Sequence, residues 1–428
     1  MTAGARFDFG SQPWFTEAGV RSVLAAIAAV GGEARFVGGV VRDALLGRAA
    51  GDVDLAVNLQ PDRVTAALTA AGIKVVPTGV EHGTVTAVAG RKGYEITTLR
   101  YDVATDGRRA TVAFTDDWQA DAARRDFTFN ALYVDADGAL YDYFRGRDDL
   151  AAGRVRFIGE AEARIREDVL RILRFFRFYA WFGRGEAEAE GLKACRALAH
   201  LLPQLSVERV WNEIGKLLRA PDPVPAWRLM LANGIVAPLV PEAADVERLA
   251  RVVDVERGGG GENPSPNPSL KGRGIQADGG DALVRLAALL PADADVADRV
   301  ARRLHMANRE GERLKVLAVL PGRLRGALDR TALRRTLYAQ GAAAVGEALL
   351  LAAADGAGVD FVAALDVVAA WENPVLPIQG GDIVSLGVPP GPRVGDILRA
   401  VEAWWMAGDF RAARAACLAE AARLTKVV

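Results

Sequence analysis

The texture of this chain changes once, near residue 161, and that change decides its architecture. Up to about residue 150, short alternating apolar runs are interleaved with short helical patterns. After residue 161 the chain reads as helix upon helix, rich in Ala, Leu and Arg. Strands confined to one end cannot feed an alternating parallel sheet along the whole length. The expected class is therefore α+β: a small mixed sheet with helices beside it, then an all-α remainder. In the first part, Thr16-Glu17 opens an apolar helix that reaches Val30 and is stopped by Gly31-Gly32. Ala34 to Val37 reads as a strand entering the turn Gly38-Gly39, and a helix from Val40 to Leu46 ends at Gly47. Asp52 to Val57 alternates as a strand. Pro61 starts a helix to Ala71, and Val75-Val76, Thr84 to Ala89 and Tyr94 to Arg100 supply further strands. In the second part, one unbroken helix is expected over Glu162 to Trp181 and another over Val207 to Leu218. The stretch GGGGENPSPNPSLKGRG between Arg257 and Gly280 buries too little to offset its ordering entropy and reads as a disordered insertion. Helices resume from Asp281 to about Ala370, and a Pro/Gly-rich passage, Asn373 to Pro392, leads into a final helix.

Composition narrows the chemistry. The 428 residues are 51% hydrophobic and 25% charged, ample for real cores in two to four domains. No apolar run reaches the roughly 18 residues a membrane span needs, and the first residues lack an export pattern. Only Cys195 and Cys417 occur, which suits a reducing cytoplasm and neither a disulfide framework nor a thiolate metal site. With three histidines in the chain, carboxylates must supply any metal ligands, favouring magnesium or manganese over zinc. A net charge of −1 confines any nucleic-acid contact to local basic sites.

The strongest constellation is Gly38-Gly39, Arg42-Asp43, Gly47 and then Asp52-Val53-Asp54. Residues i and i+2 of a strand share a face about 6.6–7 Å apart, so both carboxylates can converge on one ion pair. Hard oxygen ligands so placed suit magnesium. A glycine turn ahead of a helix presents backbone N–H groups that can hold a triphosphate.

These residues, GGVVRD…LG…DVDL, resemble the first signature of class II tRNA nucleotidyltransferases, the CCA-adding enzymes of the polymerase-β-like superfamily. Later segments match too, densely from residue 34 to 220. YEITTLRYD (Tyr94 to Asp102) resembles the strand carrying the third active-site carboxylate, here Glu95. Arg124-Arg125-Asp126-Phe127-Thr128-Phe129-Asn130-Ala131 resembles the RRDFTxNA segment. There two guanidinium groups can meet phosphates, and the resemblance gives Asp126 the sugar 2′-hydroxyl. Asp135-x-x-Gly138 followed by Tyr141-Asp142 resembles a short signature between head and neck, read as a structural hinge. Glu167-Asp168-Val169-Leu170-Arg171 resembles the EDxxR motif; on one helix, Asp168 and Arg171 would share a face and match the Watson–Crick edges of cytosine and adenine. Arg174 lies one turn further. Val207 to Ile214, VERVWNEI, resembles the last neck signature, whose residues are read as packing. Pro377 to Leu398 resembles the tail of long bacterial members, which approaches the tRNA elbow, and local basic sites such as Arg302-Arg303, Arg323, Arg325 and Arg334-Arg335 could meet RNA phosphates.

The resemblance implies a nucleotidyltransferase head (1–150), a helical neck with the base-reading helix (151–220), a body with the 257–280 insertion (221–370) and a tRNA-binding tail (371–428). It implies addition of CCA to the 3′ end of tRNA from CTP and ATP without a nucleic-acid template. Asp52 and Asp54 would hold two magnesium ions, with manganese able to substitute, and Glu95 would join them in catalysis. The nucleotide would meet Gly38, Gly39, Arg42, Arg124, Arg125, Asp126, Asn130, Asp168, Arg171 and Arg174. No membrane and no protein partner are expected. Two rival readings are a poly(A) polymerase of the same family and a catalytically silent tRNA-binding protein. The segment Thr78-Gly79-Val80-Glu81-His82-Gly83-Thr84 replaces the GRRFR run of poly(A) polymerases. The loop with Asp106-Gly107-Arg108-Arg109 is kept, which favours full CCA addition over CC alone.

Overall fold

The computed structural model describes residues 8–49, 51–79, 83–105, 110–257, 280–324, 329–356 and 361–426. The expectations placed on residues 80–82, 106–109 and 258–279 and on Arg325 lie outside that set. The chain divides into two compact units, one of residues 1–217 with 225–239, the other of residues 218–224 with 240–428.

The first unit is built on a mixed sheet. After helices α1 (Pro13–Thr16) and α2 (Ala18–Ala29) come β1 (Ala34–Val37), α3 (Gly39–Leu45), β2 (Asp54–Val57) and α4 (Pro61–Ala70). Strands β3 (Lys74–Gly79), β4 (Thr84–Ala89) and β5 (Lys92–Thr98) follow, then the hairpin β6 (Arg100–Thr105) and β7 (Ala110–Phe114), which forms a separate two-stranded sheet. Helix α5 (Trp118–Ala123) leads to β8 (Leu132–Val134) and β9 (Leu140–Asp142), and the seven strands lie in the order β3-β4-β5-β2-β1-β8-β9. Alternation sorts their side chains onto two faces. Phe36, Leu55, Val57, Val85, Ala87, Tyr94 and Ile96 point into a core closed by Val20, Val23, Leu24 and Ile27 of α2 and by Val64 and Leu68 of α4. The opposite face carries the polar residues of interest.

Two sequence expectations need correction. Strand β2 starts at Asp54, and Asp52 sits in the bend before it rather than within the strand. The helix expected over Glu162 to Trp181 is broken into α7 (Ala161–Glu167) and α8 (Arg171–Phe182), with α6 (Gly146–Ala152) before them. Asp168 is extended there, φ −149° and ψ 105°, and its Oδ1 accepts from the Leu170 N–H at 3.1 Å. A short acidic side chain thus offers the backbone an alternative to the helical ladder. The break also means that Asp168 and Arg171 are not an i, i+3 pair on one helix. Helices α9 (Ala189–Leu198), α10 (Val207–Leu218) and α11 (Val224–Ala232) follow. The Asp135-x-x-Gly138 motif closes the β8–β9 hairpin: Asp135 Oδ1 accepts from the Asp137 and Ala139 N–H groups, and Gly138 takes φ +83°. It forms the turn between two paired strands of the sheet.

The second unit is helical among its described residues, with ten helices from α12 (Val246–Glu256) to α21 (Arg414–Thr425). Two buried ion pairs stitch it: Arg248 grips Asp355 at 2.8 and 3.0 Å, and Arg285 grips Glu256 while donating to the Leu218 carbonyl. Separate apolar clusters form around Leu337, Val345 and Leu365 and around Ile383, Val401 and Trp405. The basic residues read as able to meet RNA phosphates also make bonds within this unit. Arg302 pairs with Asp298, Arg303 with Glu242, and Arg335 donates to the Met406 carbonyl. Arg334 reaches Asp409 and lies over Trp371 and Phe410. Arg323 is exposed.

Candidate active site

Asp54 and Glu95 are brought together by the parallel pairing of β2 with β5, in which they are direct register partners. Neighbouring strands lie about 4.8 Å apart, so the two carboxylates stand side by side on the open face. Burial pushes the Asp54 carboxyl up to about 6, with Glu95 and Asp52 adding to the rise and Arg125 opposing it. Asp52 and Glu95 are exposed. This is a negatively strained set of hard oxygen donors, and a cation entering among them would relieve the strain. Among the described residues no three carboxylate, imidazole or thiol groups converge on one point.

Beside the carboxylates, β1 ends in the glycine turn. Gly38 has φ +72°, where a side chain would be strained, and a Cβ there would face the Arg125 guanidinium at 3.7 Å. The first N–H groups of α3 follow, without intrahelical acceptors. Arg42, one turn on, donates to Asp43 and, at 2.9 Å, to Asn130 Oδ1, and it lies over the Phe182 ring. Asn130 in turn donates to Asp126 Oδ1 at 2.9 Å, and Arg174 of α8 holds Asp126 Oδ2 with Nε at 2.7 Å. The result is one continuous lattice from Asp43 through Arg42, Asn130 and Asp126 to Arg174. Burial opposes ionisation of Asp126, but Arg174 and Asn130 outweigh it and hold the carboxyl at about 2.

Arg124 and Arg125 are oriented by a residue that the motif did not single out. Asp121, 1% exposed, accepts from Arg124 Nε at 2.8 Å, from Arg125 Nη2 at 3.2 Å and from the Tyr133 hydroxyl at 2.7 Å. Burial works against its charge, yet Arg125 and Arg124 keep Asp121 at about 2. The Arg124 backbone carbonyl is clamped by Arg164 and by Arg171. Arg171 also donates to Glu167 at 2.7 Å, whereas Asp168 Oδ2 accepts from Arg209 of α10 at 2.8 Å. Arg209 belongs to the segment read as packing. The neighbouring turn of the same helix face sends Glu213 to Arg177 of α8 at 2.6 Å, so α10 braces α8 and the break at Asp168 with two ion pairs. The structure therefore gathers Gly38, Arg42, Arg125, Asp126, Asn130 and Arg174 into one wall, and gives Asp168 and Arg171 different partners. Asp121, Tyr133 and Arg209 are the additions.

A mixed sheet with paired carboxylates on one face, flanked by a glycine turn and an arginine-lined wall, defines a nucleotidyltransferase head. Residues 34–156 match the family model for the poly A polymerase head domain, and residues 187–246 match that for a probable RNA and SrmB-binding site of polymerase A. The chain is 34% identical to the mitochondrial CCA tRNA nucleotidyltransferase 1 of Danio rerio over 89% of its own length and 84% of that protein's. It is 44% identical to the CCA-adding enzyme of Streptococcus pyogenes over 52% of this chain and 53% of that one. It superposes on the Bacillus stearothermophilus CCA-adding enzyme in complex with CTP with a TM-score of 0.76 and 27% identity, covering 97% of this chain and 98% of that one. This chain belongs to the CCA-adding tRNA nucleotidyltransferase family. Enzymes of that kind work with divalent metal ions.

Proposed function

We propose that this chain adds CCA to the 3′ end of tRNA from CTP and ATP, through attack of the RNA 3′-hydroxyl on the nucleotide α-phosphate with release of pyrophosphate. The observation that carries this reading is the register pairing of Asp54 with Glu95 beside the arginine wall, in a chain whose relatives carry that activity in their names. Two magnesium ions held by Asp52 and Asp54, with Glu95 alongside, would lower the pKa of the attacking hydroxyl and neutralise charge on the phosphate. The remaining roles fall to the chain itself. The α3 N-terminus and the Arg42 and Arg125 guanidinium groups face the triphosphate and stabilise the departing pyrophosphate. Asp126 and Asn130 sit where the sugar enters, so a ribose hydroxyl meets a preset acceptor. Asp168 and Arg171 read the base edge, as a protein substitute for a template, with Arg174 fixing Asp126 beneath them. Asp121 keeps both motif arginines aimed, and Arg209 steadies Asp168.

The test is direct. Purified protein is incubated with tRNA lacking its 3′ terminus and with each nucleotide in turn. Two C residues followed by one A, and then a stop, support the proposal. An unbounded A tail would make the protein a poly(A) polymerase, and tRNA binding without incorporation would make it a silent binder.

A further inference from the structure

We propose that a row of threonines on the open face of the sheet, beyond Glu95, seats the terminal nucleotide of the acceptor strand. The inference rests on the nucleotidyl-transfer reading above. Thr86 of β4 is the register partner of Glu95, and Thr84 is the partner of Thr97. Paired residues of adjacent strands share a face, so these threonines continue the carboxylate surface outward. Their hydroxyls are tied across the strands: Thr84 to Thr97 at 3.0 Å and Thr78 to Thr86 at 2.9 Å. Thr84, Thr86 and Thr97 are half-buried and Thr78 is exposed. Lys74, paired with Val88 two residues along from Thr86, stands exposed at the outer edge of the same face.

The direction of the reaction assigns an occupant to this surface. In-line displacement at phosphorus places the attacking and leaving oxygens on opposite sides. The leaving pyrophosphate carries most of the charge and belongs with Arg42 and Arg125, on the β1 and β8 side of Asp54. The attacking hydroxyl must then arrive from the other side, over β5 and β4. There the surface changes character from guanidinium to hydroxyl. A threonine pair spends one proton on its mutual bond and keeps a second donor and free lone pairs, enough to meet a ribose or a phosphate oxygen without an ionic grip. Weak, neutral contacts fit a seat that is vacated and refilled at each addition, and Lys74 stands where the next phosphate along the strand would lie.

The experiment is a kinetic split on the full-length enzyme. In Thr84→Val with Thr86→Val the shape is kept and valine favours strands, so thermal melting should match the parent. With a tRNA transcript ending just before CCA, the KM for the transcript should rise about fivefold, the loss expected for two hydrogen bonds, while the KM for CTP stays within about twofold. Thr86→Ser, which retains the hydroxyl, should restore most of the loss. An unchanged transcript KM, or an equal rise in the KM for CTP, overturns the assignment while leaving the transferase reading intact. Failure of the unsubstituted enzyme to extend the transcript removes both.

Discussion

The first unit holds two kinds of carboxylate within one site, and they behave in opposite ways. On the sheet face, burial, with Glu95 and Asp52 alongside, pushes the Asp54 carboxyl up to about 6. In the wall, Asp121 and Asp126 are surrounded by guanidinium and amide donors and held at about 2. The face is short of positive charge, and the wall is saturated with it. The contrast separates an acid whose charge a cation would relieve from acids that hold a shape, although all three are aspartates of the same unit. Substitution at the face should therefore abolish chemistry and spare the fold, whereas substitution in the wall should damage both.

The largest effect is expected for Asp54→Asn. Removing a metal-holding charge should lower single-turnover incorporation by at least about 10³-fold, with tRNA binding by filter retention unchanged. Retained turnover would break the distinction at its root. Next, Asp126→Asn leaves Arg174 facing a neutral amide in a buried setting, and such a loss typically costs about 3 kcal/mol. We expect an earlier first thermal transition and a raised KM for CTP and ATP together; a variant as stable as the parent would mean that the wall does not depend on its ion pair.

A smaller effect sharpens the comparison through pH. The proton on Asp54 is held more tightly in the folded chain than in the unfolded one, whose carboxyl titrates near 3.8. Ionising it therefore opposes folding, with the full cost present above about pH 6 and none left below pH 4. Without metal, Asp54→Asn should be more stable than the parent at pH 7.5, on the order of 2 kcal/mol, and the gap should close as the pH falls to 4. A gap that widens on acidification would reverse the assigned charge state. The mildest expected change is in Arg171→Ala, which should reduce discrimination of CTP and ATP against UTP and GTP about tenfold without moving metal dependence. An unaltered preference would leave base choice to other residues.

What the sequence makes legible and what it hides follow from the range of the interactions. Strand β1 and the glycine turn are read at their observed places because alternation and glycine are local signals. So is the aspartate pair, though its first member lies just outside the strand. The break at Asp168 is invisible to periodicity, since Ile165, Val169, Ile172 and Phe176 keep a helical apolar spacing straight through it. The cause is one side chain turning back onto its own backbone. Asp121 escapes notice because its role needs Tyr133, twelve positions on, to fold back against it. Arg209 escapes because its partner lies 41 residues earlier.

The lattice running from Asp43 to Arg174 has a consequence for the order in which the protein becomes competent. The three acids proposed for catalysis are all encoded by residue 95, but the hydrogen-bonded wall is closed only by Arg174, and its brace only by Glu213. A nascent chain leaving the ribosome would thus carry its proposed reactive acids long before the wall beside them is complete. On the proposed reading, an unfinished polypeptide that lacks the helical segment would be inert, and activity would begin only once that segment docks.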